Sequence, residues 1–237
     1  MLWFENLGRR AAQAVFSPLV NLLAVRGVTP NQVTWVGFLS YGVVAWLLIM
    51  GLPGTAGVAL AVLGPLDAID GMLARKTGQA GNKGAFLDST LDRYAEVLLF
   101  LGLLCYLFQD TGANNYTPWV FGDTLKRAYG NTPLLNALLV LAALSGSLLV
   151  SYARSRAESL GFSCKIGLMT RFERIFFISF ALIFDVVRPA LALLAVLAHL
   201  TAAQRIRHVL KQEGGVGVLH MPVSVSAAQS ASLHDGK

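Results

Sequence analysis

The sequence predicts an all-α integral membrane protein with six transmembrane helices, preceded by an N-terminal interfacial amphipathic helix and with both termini cytoplasmic. Three observations carry this reading. Of 237 residues, 55% are hydrophobic and only 14% charged, against roughly 25% charged in an ordinary soluble domain. Apolar runs near 32–51, 54–75, 86–109, 133–155, 172–187 and 189–210 are of the length a bilayer requires, about 20 residues as helix. Lysine and arginine alternate sides between those runs, with the excess marking the cytoplasmic face.

Residues 1–27 do not read as a signal peptide, because Arg9, Arg10, Ser17 and Pro18 interrupt any continuous apolar core. Phe4, Leu7, Ala11, Val15, Leu19, Leu22 and Leu23 recur at helical spacing with polar residues between them, which suits a helix lying in the headgroup plane. A first helix packed into the bundle is the alternative. Residues 28–211 form the six-helix domain. The last pair of helices is divided at Arg188 and Pro189, where a tight outer turn is expected. One side of the membrane collects Arg9, Arg10, Arg26, Arg75, Lys76, Lys83, Arg154, Arg156, Lys165, Arg171, Arg174, Arg205, Arg207 and Lys211; the other has only Lys126, Arg127 and Arg188. The net charge of +6 therefore belongs mainly to the inner face. It points to anionic headgroups and phosphorylated substrates, not nucleic acid. The segment from Asp110 to Thr132 reads as an outer connector, and residues 212–237, rich in Gly, Ser, Ala and Gln, as a disordered cytoplasmic tail.

Chemistry concentrates in four aspartates, Asp67, Asp70, Asp88 and Asp92, within 26 residues. Carboxylates at membrane depth are costly and mark ion sites, proton paths or catalytic centres. Asp67 and Asp70 are three apart, and Gly84, Asp88 and Asp92 four apart, so each set lies along one helix face. Two such faces joined by a short loop can converge four carboxylates on one or two cations. Oxygen-only ligands select a hard cation, Mg2+ or Mn2+, which in turn suits a diphosphate. Gly71 and Gly84 either let a nucleotide approach or serve close helix packing. Cys105 and Cys164 cannot plausibly pair, and the four histidines are confined to the C-terminal 39 residues, so neither zinc nor a Ser-His-Asp arrangement is expected.

Asp67-x-x-Asp70-Gly71-x-x-Ala74-Arg75, then eight residues, Gly84, three residues, Asp88, three residues and Asp92 is similar to the signature of the CDP-alcohol phosphotransferases, with all eight fixed positions present. The segment from Pro30 to Thr34 resembles the short motif before that family's first transmembrane helix. The resemblance implies phospholipid biosynthesis: an alcohol displaces CMP from a CDP-linked lipid. It implies that Asp67, Asp70 and Asp88 ligate a pair of Mg2+ or Mn2+ ions. Asp92 would be the general base, in contact with metal as well. Asn31, Thr34, Asp67, Asp70, Gly71, Ala74, Arg75 and Gly84 would bind the CDP-lipid. For Asn31 and Thr34 a helix-capping role is the alternative, and for Arg75 a topological one.

The segments around Ser151, Arg154 and Arg156, around Lys165, Arg171 and Arg174, and at Arg205 resemble those that bind inositol phosphate in the family's prokaryotic phosphatidylinositol-phosphate-forming branch and its archaeal-lipid relatives. A dianionic acceptor needs several guanidinium donors in fixed geometry, whereas a neutral polyol does not. Ser89 and Arg93 fit the same branch, while arginine at 154 departs from the lysine common there, so glycerol phosphate or another polyol remains an alternative acceptor. The resemblance further implies a homodimer in the plasma membrane of a prokaryote, with its site facing the cytoplasm. An intramembrane prenyltransferase would place its acidic motifs far apart, and a cation transporter would need neither the glycines nor the arginines.

Overall fold

The computed structural model describes residues 16–109, 133–164 and 166–212, without the side chain of Asp67. The expectations for residues 1–15, the 110–132 connector, Lys165 and the tail from 213 onward lie outside them. Every regular element among the described residues is a helix: α1 (Phe16–Val25), α2 (Pro30–Ile49), α3 (Pro53–Leu63), α4 (Leu66–Lys76), α5 (Asn82–Gln109), α6 (Pro133–Ser159), α7 (Arg171–Ile183) and α8 (Val187–Leu210).

Local chemistry sets several boundaries. Thr29 begins α2 with a reciprocal cap, its hydroxyl accepting from the Gln32 N–H and the Gln32 side chain accepting from the Thr29 N–H, while Pro30 occupies the first turn, where no backbone donor is needed. The cap of this helix is therefore made by Thr29 and Gln32 and not by Asn31 and Thr34, the residues for which capping was the alternative. Gly64 and Pro65 interrupt the expected run 54–75, ending α3 and beginning α4, because proline cannot donate to the preceding turn. Asp67 thus stands at the second position of a new helix. The break between the last two helices falls at Phe184 to Val186, not at Arg188 and Pro189, which lie in the first turn of α8. Proline is tolerated there, and Asp185 takes the turn at φ 51°, its carboxylate accepting from the Tyr106 hydroxyl at 2.7 Å.

Helices α2 and α5 pack together, as do α6 with α8 and α3 with α7; α4 lies on α2, and α5 bridges to α6. The core between them holds Tyr41, Leu48, Leu60, Leu99, Phe100, Leu103 and Leu182. Small residues set the closest approaches. A Cβ at Gly102 would fall 2.7 Å from Ala45 Cα, and one at Gly57 would fall 2.8 Å from the Ser179 carbonyl oxygen. Outward positions are as apolar as inward ones: Val62 is 68%, Phe176 62% and Val196 58% exposed, which suits lipid and not water.

Four helical stretches, Pro30–Ile49, Pro53–Lys76, Pro133–Ser159 and Val187–Leu210, are long and apolar enough to cross a membrane. The other two expected spans fall on α5, whose 28 residues include Asp88, Asp92, Arg93 and Glu96, and on α7, which has 13 residues and so covers only about 20 Å. Helix α1 seats Val20 in a cluster with Val33, Ile69 and Leu73, and its Asn21 carbonyl accepts from the Lys76 ammonium. Leu22 and Val25 remain exposed. One side of α1 is therefore fastened to α2 and to the helix bearing Asp67 and Asp70.

Candidate active site

The first turns of α2, α5 and α7, helix α4, and the last turns of α6 and α8 carry the residues singled out from the sequence. Thr34, one turn into α2, donates its hydroxyl proton to Asp70 Oδ2 at 2.6 Å, with both residues buried. That distance is typical of a hydroxyl bonded to a charged carboxylate. Thr34 therefore fixes one of the expected metal ligands. Asp88 is half-buried on the following helix and Asn31 is exposed. A Cβ at Gly84 would have Asn31 Oδ1 as its nearest contact, at 3.7 Å, and one at Gly71 would have Arg75 Nη1 at 3.6 Å. Among the described residues, then, close helix packing does not demand glycine at either position, unlike Gly57 and Gly102. Ala74 is half-buried and Arg75 exposed on the same helix.

Among the described residues, which do not include the Asp67 carboxylate, no three His, Cys, Asp or Glu side chains converge on one point. The donor chemistry nevertheless fits a hard divalent cation, since Asp70 is buried and already oriented by Thr34, and Asp88 lies on α5, which packs on α2 as α4 does.

Asp92 is enclosed by guanidinium groups. Arg171 Nη1 stands 2.7 Å from its Oδ1 and Arg93 Nη1 3.6 Å from its Oδ2. Arg171 is the first residue of α7, whose start is set by the Glu173 carboxylate accepting from the Thr170 N–H. Its guanidinium also lies 5.8 Å from the centre of the buried Tyr41 ring, within cation–π range. The structure thus joins the expected base to one of the expected acceptor-binding arginines.

The remaining basic residues divide. Arg174 is buried, giving Nη2 and Nε to Glu96 Oε1 at 2.7 and 3.2 Å, Nη2 to Ser151 Oγ at 3.4 Å and Nη1 to the Met169 carbonyl at 3.4 Å. Arg205, also buried, donates to the carbonyls of Val150 at 2.6 Å and Ile166 at 2.9 Å. Both hold the end of α6 and the α6–α7 loop in place. Gln212 fastens the same loop through paired bonds to the Ser163 backbone. Arg154 pairs with Glu158 at 2.9 Å on an exposed face, and Arg156 is exposed beside it. Cys164 is buried in the loop, and burial pushes its thiol up from the ordinary range, with the Arg205 guanidinium partly opposing. Glu96 escaped the sequence reading, although it continues the four-residue series Gly84, Asp88, Asp92 and is a carboxylate in an apolar helix.

An aspartate pair followed by a glycine and an arginine on one helix, with a glycine and two aspartates on the next, matches a known pattern. The sequence profile of the CDP-alcohol phosphatidyltransferases covers residues 27–204. The chain belongs to that family. It is similar to the archaetidylinositol phosphate synthase of Pyrococcus horikoshii, 35% identical over 191 residues that cover 80% of this chain and 88% of that protein. It is also similar to the phosphatidylinositol phosphate synthase of Cutibacterium acnes, 32% identical over 166 residues, 68% of this chain and 69% of that one. The fold matches crystal structures of the Mycobacterium tuberculosis phosphatidylinositol phosphate synthase. With CDP-DAG bound, that protein gives a TM-score of 0.69 at 24% identity, covering 86% of this chain and 98% of that chain. In complex with manganese and citrate it gives 0.68 at 25%, covering 84% and 91%. This phosphatidyltransferase is accordingly a membrane enzyme, and the prenyltransferase and transporter alternatives fall away.

Proposed function

We propose that this phosphatidyltransferase moves a phosphatidyl or archaetidyl group from a CDP-lipid to a hydroxyl of inositol phosphate, releasing CMP. The observation that carries the acceptor assignment is the 2.7 Å contact between Asp92 and Arg171. A base beside a guanidinium is the arrangement a phosphorylated alcohol needs, with its hydroxyl at the carboxylate and its phosphate at the cation. The names of the P. horikoshii and C. acnes relatives support the same acceptor.

Asp67, Asp70 and Asp88 would hold divalent cations, Mg2+ or Mn2+ and two in number; such ions neutralise a diphosphate and favour departure of CMP. Manganese in the M. tuberculosis structure supports a metal of this class. Thr34 keeps Asp70 oriented, and Asn31, Gly71, Ala74, Arg75 and Gly84 line the donor side. The acceptor oxygen bonds to the lipid-side phosphorus, the bond from that phosphorus to the bridging oxygen breaks, and CMP leaves with the bridging oxygen and its electron pair. Asp92 takes the hydroxyl proton. Arg171 receives the acceptor phosphate, with Ser151, Arg154, Arg156, Arg174 and Arg205 forming or supporting that pocket. The same reading places six helices across a prokaryotic plasma membrane, α1 in the headgroup plane, and both termini and the active site on the cytoplasmic side of a homodimer.

The test is CMP release by purified protein in vesicles containing CDP-lipid and Mg2+, with inositol phosphate, inositol and glycerol phosphate compared. Release is expected with inositol phosphate alone, and Asp92→Asn should lower it at least about a thousandfold while CDP-lipid still binds. Release with glycerol phosphate instead would overturn the acceptor, and near-normal turnover in Asp92→Asn would overturn the base.

A further inference from the structure

Two ion pairs cross from α5 to α7 in register. Asp92 meets Arg171 at 2.7 Å, and Glu96, one turn further along α5, meets Arg174, one turn further along α7, also at 2.7 Å. They differ in environment. The Asp92 and Arg171 side chains are 16% and 21% exposed, open on the site, whereas those of Glu96 and Arg174 are 6% and 2% exposed. The inner pair is also the better connected, because Arg174 reaches Glu96 on α5, Ser151 on α6 and the Met169 carbonyl just before α7.

We propose that Glu96 is a positioning residue for the transfer reaction: by binding Arg174 it fixes the register of α7 so that Arg171, and not Arg174, is presented to Asp92 and to the acceptor phosphate. This rests on the acceptor reading given above. The physical reason lies in the repeat itself. Arg171 and Arg174 are chemically identical and three residues apart, and Asp92 and Glu96 are both carboxylates four apart, so a one-turn slip of α7 would set Arg174 against Asp92, or Arg171 against Glu96, and break the other pair. Burial breaks the tie. A guanidinium enclosed at the Arg174 position without Glu96 would be an uncompensated buried charge, which is strongly unfavourable, and a buried ion pair is best attested as a device that sets register. Because Glu96 takes two of the Arg174 donors, and Ser151 and Met169 are also engaged, Arg174 acts on the acceptor through Arg171. The acceptor phosphate is therefore read by Arg171 in the first turn of α7, together with the exposed Arg154 and Arg156 at the end of α6.

The test separates positioning from simple support of the fold. A variant that merely folds less well has fewer active molecules, which lowers apparent kcat and leaves both KM values unchanged. Misplacing Arg171 instead weakens the acceptor alone. In reconstituted vesicles, Glu96→Gln is expected to raise the KM for inositol phosphate at least about tenfold, the KM for CDP-lipid changing by less than about twofold, since small misplacements of an orienting group carry penalties of this order. Glu96→Asp, which keeps the charge, should recover part of the difference. If Glu96→Gln cannot be obtained folded, Arg174→Lys, which keeps both charges but loses the fork to Met169 and Ser151, should show the same acceptor-selective rise. An unchanged acceptor KM in the folded variant, or an equal rise in both KM values, overturns the proposal. Wild-type protein that releases no CMP with inositol phosphate would instead overturn the acceptor reading on which it rests.

Discussion

Replacing Thr34 with valine removes one hydroxyl and keeps the side-chain shape. Its hydroxyl oxygen stands 2.6 Å from Asp70 Oδ2 and 3.1 Å from the Pro30 carbonyl oxygen, and the shorter, charge-assisted bond dominates. Thr34 is 7% and Asp70 4% exposed, so water has little access to substitute for the lost donor. A hydrogen bond to a charged group contributes about 1.5–3 kcal/mol. At about 1.4 kcal/mol per tenfold, the cost is about 10- to 150-fold if it falls wholly on holding the metal and diphosphate. CMP release should be measured against CDP-lipid and, separately, against Mn2+. Thr34→Val should raise the half-saturating concentration of one or both by at least about tenfold, with inositol phosphate KM little changed, while Thr34→Ser, which keeps the donor, should stay within about threefold of wild type. A valine variant with both donor and metal dependence unchanged would refute the idea that Thr34 orients Asp70.

Two further predictions concern parts of the molecule away from the reacting atoms. Gly102→Ala should destabilise the protein by about 1–3 kcal/mol through overpacking, because the new methyl would lie 2.7 Å from Ala45 Cα and push α5 off α2; thermal unfolding in micelles measures this, and an unchanged midpoint would contradict the close approach. Cys164 should react with a water-soluble maleimide at least about tenfold more slowly in the folded protein than in the detergent-unfolded chain. Burial raises its thiol above the ordinary range, so less thiolate is present at a given pH and the labelling rate should climb only at higher pH. Equal rates in the two states would place Cys164 at the surface.

The family's signature was readable because its chemistry is local. Asp67 to Arg75 and Gly84 to Asp92 lie on two helices close in sequence, where helical spacing alone lines up the polar residues. The arginines were harder. Arg171 and Arg174 look alike in the chain, and only the carboxylate opposite each decides that one faces the site while the other is buried against Glu96. Arg205 is similar: its sequence marks it as cationic, but the nearby Val150 and Ile166 carbonyls, 55 and 39 residues away, determine that it clamps a loop. Thr34 is one turn into α2, and nothing in the sequence says that Asp70, 36 residues later, will stand within hydrogen-bonding distance.

Helix breaks show the same division. The sequence points to a boundary at Pro189 and not at Pro65, yet Pro65 breaks the run expected over 54–75 while Pro189 sits inside the first turn of α8. Whether proline interrupts a helix or starts one depends on where the preceding turn is held, and in the second case that is fixed by the Tyr106 bond to Asp185 across the bundle. By itself the sequence determined the helical membrane character, the family and the four aspartates, because lipid demands apolar helices and the motif's spacing is a property of a single helix. Tertiary structure decided which arginine pairs with Asp92, that Thr34 bonds Asp70 and that Glu96 meets a buried Arg174, because burial and charge pairing are relations between helices that no single segment contains.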